Sequence, residues 1–212
     1  MPSVVNIGRR VELVPIDTHF HDITIALYLE ELDACTVFRI HTYSRKDGVS
    51  GRIQEVANSM HVLGGMSELS NGKIFFPCGD NHEAACRRVF LEACKIPPNT
   101  PAEPRPLNTL DKKSKLMMTV DSLGSGSYRV TSDGEGRGAE RRVSAIAGGL
   151  MKLGEMNAGP ENDSNTVSFA CGQSHDALVG LLLVRAPNVR VIMREEEAST
   201  SRGVLSAPSK QI

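Results

Sequence analysis

Two short phrases hold the residues best suited to chemistry: Pro77-Cys78-Gly79-Asp80-Asn81-His82-Glu83-Ala84 and Ala170-Cys171-Gly172-Gln173-Ser174-His175-Asp176-Ala177. Each sets an imidazole four residues after a thiol, with a glycine behind the cysteine and an acid behind the histidine. A thiolate can serve as nucleophile, acid/base group or metal ligand, and imidazole shares the last two roles near neutral pH. A cysteine beside the free N–H groups of a helix start is expected to have a lowered pKa, whereas a histidine there is pushed toward its neutral form. Part of each phrase has a plainer purpose. Asn81 and Ser174 are expected helix N-caps, Glu83 and Asp176 suit the dipole in the first turn, and Gly79 and Gly172 supply a positive φ or let a ligand approach the backbone.

Three uses of the thiols and imidazoles stay open. In one, Cys78 and Cys171 flank a planar intermediate as acid and base, with His82 and His175 assisting proton transfer and no cofactor required. In another, the two Cys-x-x-x-His pairs supply a Cys₂His₂ set for zinc or manganese, in a metal-binding protein or a metal-dependent lyase or hydrolase. In the third, both phrases are structural corners of a binding or assembly protein. Arg52 and Arg142 join the ligand-binding candidates, because a cation in a helical first turn opposes the dipole and so points to an acid partner or an anionic ligand. His19 and His21, in Asp17-Thr18-His19-Phe20-His21, alternate onto one face of a strand and are further candidate metal ligands.

The elements that position these residues come from a duplication. Residues 38–66 lie over residues 128–156 at a constant offset of ninety. Phe38 meets Tyr128, Arg52 meets Arg142, and Leu63-Gly64 meets Leu153-Gly154. Ile53, Val56, Ala57, Met60 and Leu63 fall on Val143, Ile146, Ala147, Leu150 and Leu153, which is helical spacing kept position for position. The cysteine phrases align at an offset of ninety-three. Alternation predicts strands at 22–31 and 36–44 and again at 115–122 and 127–132, each pair a hairpin. Helices ending at Gly64 and Gly154 follow, then short strands at 73–77 and 166–170, and second helices from near Asn81 and Ser174.

The expected fold is α+β: two tandem β-β-α-β-α repeats about a pseudo-twofold axis, each packing helices on a sheet in two layers. The boundaries read as an N-terminal strand or extension 1–21, repeat one 22–95, a Pro-rich connector 96–114, repeat two 115–194 and a disordered tail 195–212. Residues 188–193 add one further expected strand.

This duplicated unit resembles the half-domain of imidazoleglycerol-phosphate dehydratase, within the two-layer fold shared with GHMP kinases, over roughly residues 20–190. In that family H-H-x-x-E motifs at the second helices bind manganese, whereas the matching places here hold one histidine each, His82 and His175, and no glutamate one turn later. The Cys-Gly helix starts are similar to those of diaminopimelate epimerase and proline racemase, which implies Cys78 and Cys171 as the acid/base pair. The Gly continuations that bind substrate there are missing. Residues 16–22 resemble the Asp-x-His-x-His motif of amidohydrolases, whose barrel is incompatible with the duplicated hairpins.

Composition sets outer limits. Net charge is −1 and Trp is absent, so neither an electrostatic footprint for nucleic acid nor a base-stacking platform is present. No apolar run has the length of a signal peptide or membrane span, and five cysteines without an export signal are expected to be reduced. The expectation is a cytoplasmic, homo-oligomeric small-molecule enzyme, an isomerase, epimerase or lyase acting on an anionic metabolite.

Overall fold

The computed structural model describes residues 8–18, 21–32, 35–44, 47–70, 72–159 and 163–189. The first half runs β1 (Arg9–Thr18), β2 (His21–Leu32), β3 (Cys35–Thr42), α1 (Val49–Gly64), β4 (Ser67–Ser70), β5 (Lys73–Phe75) and α2 (Glu83–Ala93). The second runs β6 (Asn108–Asp111), β7 (Leu116–Gly124), β8 (Ser127–Ser132), α3 (Arg137–Gly154), β9 (Asn157–Ala158), β10 (Thr166–Ser168) and α4 (Asp176–Leu183), then a 3₁₀ turn over Ala186–Asn188. Each half forms a five-stranded antiparallel sheet, ordered β1-β2-β3-β5-β4 and β6-β7-β8-β10-β9. The mixed α+β class is therefore as the alternation and helical spacing predict.

Each half carries two more strands than the expected repeat. β4 and β9 complete short hairpins between the helices, too brief to show alternation. β6 lies inside the Pro-rich stretch, which ends in an edge strand as soon as its prolines stop at Pro106. Asn188 closes the 3₁₀ turn instead of opening a strand. Residues 190–193 of that expected strand, the tail 195–212, His19, and the side chain of His21 lie outside the described residues.

Helical spacing translates directly into burial. Val56, Ala57, Met60 and Leu63 of α1, and Val143, Ile146, Ala147, Leu150 and Leu153 of α3, all enter one apolar core that runs through both halves. α4, Asp-Ala-Leu-Val-Gly-Leu-Leu-Leu, is buried over six consecutive residues, as a helix enclosed on all sides should be. Gly64 and Gly154 do not cap their helices. The left-handed C-terminal residues are Gly65 and Glu155, and a Cβ at Gly64 or Gly154 would meet Val89 at 3.0 Å or Leu182 at 2.9 Å. The repeated glycine lets the second helix of each half approach the first.

Helices also join the halves: α1 packs on α4, and α2 on α3. Arg88 donates to the Leu153 carbonyl at 3.0 Å, Arg185 pairs with Glu92, and Gly65 faces Ala177. This seam brings the starts of α2 and α4 together.

Candidate metal centre

Each corner is a four-residue turn followed by a helix. Gly79 donates its N–H to the Phe76 carbonyl at 2.8 Å, and Gly172 donates to Phe169 at 3.1 Å. Pro77 presets φ at the second position of the first turn, and the glycines take the left-handed conformation at φ 81° and 68°. Gly79 and Gly172 thus make the turns that aim the cysteines. The helix caps differ from expectation: His82 and His175 occupy the N-cap positions, with no side-chain cap bond, one residue later than Asn81 and Ser174. In the second half a buried tyrosine does part of that work. The Tyr128 hydroxyl accepts the His175 backbone N–H and donates to Asp176 at 2.8 Å.

The turns and caps converge. Cys78 Sγ lies 3.2 Å from His82 Nε2, and Cys171 Sγ lies 3.3 Å from His175 Nε2. All four donor atoms fall within 4.8 Å of one another, so this group could hold a metal ion. The imidazoles sit in an aromatic frame drawn from both halves. Phe76 meets His82 edge-on at 5.1 Å and His175 at 5.6 Å between ring centroids, Phe169 meets them at 5.4 and 4.9 Å, and the two imidazoles meet at 4.9 Å. His82 and His175 are buried, whereas both cysteines are partly exposed.

Burial dominates the electrostatics of these groups. Desolvation pushes the Cys78 thiol up to about 11, against the expected lowering, although the Asp80 backbone N–H bonded to its sulfur opposes the shift. Gln173 donates its N–H to Cys171 Sγ at 3.5 Å in the same manner. Burial lowers His82, and burial plus the neighbouring His82 brings His175 down to about 4, the direction expected for a ligand or base. Near neutral pH and without metal, the imidazoles are therefore neutral acceptors and the Cys78 sulfur carries a proton that a bound cation would displace.

The remaining candidates sit elsewhere. Arg52 bonds Glu55 at 2.9 Å and the Ile96 carbonyl at 2.6 Å, while Arg142 grips Asp111 and donates to the Pro187 carbonyl at 2.8 Å. Both arginines brace the chain just past the second helix of their half, which satisfies the acid-partner alternative without an anionic ligand. Phe76, Phe169 and Tyr128 were not singled out from sequence. A signal for the first two existed, since an aromatic residue stands two places before each cysteine.

No family model matches the chain, and no curated protein or solved structure is significantly similar to it.

Proposed function

We propose that this is a metal-binding protein in which Cys78, His82, Cys171 and His175 hold one zinc ion as a structural clamp between the two halves. The observation that carries this reading is the mutual approach of four soft donors within 4.8 Å, two from each half. Zinc bonds of about 2.3 Å to sulfur and 2.0–2.1 Å to nitrogen place neighbouring donors of a tetrahedron about 3.3–3.8 Å apart. The two S···N distances, 3.2 and 3.3 Å, are close to that without rearrangement. Thiolate and imidazole without carboxylate suit zinc over manganese or magnesium. Backbone N–H groups of Asp80 and Gln173 point at the two sulfurs, as donors to a metal-bound sulfur should, and the aromatic frame excludes water from the imidazoles. With four protein ligands no coordination position is left for substrate, which fits a structural ion better than a catalytic one.

Acid/base catalysis by the two cysteines has less support. A planar carbon attacked from opposite faces needs each sulfur about 3–3.5 Å away, hence about 6–7 Å between sulfurs. These sulfurs are closer than 4.8 Å.

Elemental analysis of protein purified without chelators tests the proposal. One zinc per chain is expected, lost in Cys78→Ser and in His175→Ala, and cobalt replacement should give the intense thiolate charge-transfer and tetrahedral ligand-field bands. A chain that takes up neither metal, with its four ligands chemically intact, would overturn it.

A further inference from the structure

We infer that Cys78 and Cys171 form a reversible disulfide that opens the metal centre, making the clamp responsive to peroxide-class oxidants; this deepens the metal reading and rests on it. The two sulfurs come from different halves, lie within 4.8 Å and are not bonded to each other. A disulfide requires about 2.05 Å between them. Both cysteines stand on turns ahead of a positive-φ glycine, outside α2 and α4, so side-chain rotation and a small turn adjustment close that gap without disturbing a helix.

Access is graded in the same direction. Cys78 and Cys171 are partly exposed, while His82 is 7 % exposed, His175 6 %, and Cys86 is fully buried. An oxidant arriving from solvent therefore meets the ligand sulfurs before the imidazoles. In the reaction one thiolate attacks hydrogen peroxide, the O–O bond breaks, and hydroxide leaves and is protonated to water. The second thiolate then displaces the sulfenic hydroxyl, which takes a proton and leaves as a second water. Two thiolates, one peroxide and two protons thus give one disulfide and two waters. A disulfide sulfur carries no negative charge and is a poor ligand, so only the two imidazoles remain and zinc departs. The seam stays closed in both states, through the ion when reduced and through a covalent bond when oxidised. A dithiol reductant with zinc restores the first state by thiol–disulfide exchange.

The test uses the full chain loaded with zinc. One equivalent of hydrogen peroxide is added, released zinc is followed with a colorimetric chelator, and disulfides are mapped by non-reducing peptide mass spectrometry. One zinc released per Cys78–Cys171 bridge, reversed by dithiothreitol and zinc, is the expected result, unchanged in Cys35→Ser. Zinc retained with thiols intact, sulfinic acid at either cysteine, or a bridge to another cysteine would overturn the switch. In those cases stoichiometric zinc in the untreated protein leaves the metal centre standing. Absence of zinc before oxidation overturns both.

Discussion

Tyr128 is the residue on which the two corners differ most. Its hydroxyl is bonded to the backbone of His175 and to Asp176, whereas the matching Phe38 leaves the first corner without such a brace. Since Phe38 is fully buried at the equivalent place, phenylalanine is a shape the fold accepts. Tyr128→Phe is therefore expected to fold, to lose about 1–2 kcal/mol through the buried His175 N–H left unpaired, and to weaken zinc binding about tenfold by freeing the ligand His175. Chemical denaturation and competition against a chromophoric chelator measure the two effects. An unchanged zinc affinity would make Tyr128 a packing residue only.

At the scale of elements, the matched arginines tie the end of each half to its first helix. Arg142 is the stronger case. Its guanidinium holds Asp111, a carboxylate 1 % exposed, well below the usual range, with Ser114 and nearby backbone N–H groups adding to the effect. The folded pKa thus lies below the unfolded value of about 3.9. The stabilisation is complete above that unfolded value and disappears as pH falls through the folded one. Asp111→Asn should cost about 2 kcal/mol at pH 7, because the partly buried Arg142 loses its charge partner and the charge-assisted hydrogen bonds to it, and its stability should fall less between pH 5 and 2 than that of the native protein. Urea titrations across that range give the comparison; parallel acid limbs would remove the pair from the account. The equivalent Arg52 uses carbonyls in place of a buried acid, so Arg52→Met should show no such change in acid sensitivity.

For the whole molecule, one apolar core crosses the seam and the four ligands meet on it. If zinc binds only the folded chain, free zinc a hundredfold above its dissociation constant adds about 2.7 kcal/mol to stability. Thermal unfolding with and without a strong chelator should show a drop in Tm, and hydrogen exchange should rise first at residues 76–83 and 169–176. A Tm unmoved by chelator would mean that the clamp carries no load. Much of this architecture is legible in the sequence, because the same helical face is written twice, ninety residues apart. The offset of ninety located α1 and α3 to their last residues, and alternation located β2, β3, β7 and β8. The short strands β4, β6 and β9 were not legible, since two to four residues are too few for a period and their pairing depends on a neighbour already in place. By sequence alone this protein was bound to form two similar helix-and-sheet halves with a cysteine, a glycine and a histidine at matching corners, because spacing and turn chemistry are local. That the two corners face each other, that burial raises the Cys78 thiol in spite of its backbone N–H bond, and that Arg52 and Arg142 brace the chain away from the centre were decided only by tertiary packing. Distance, solvent exclusion and partner choice are properties of two surfaces meeting, and no single stretch of chain contains them.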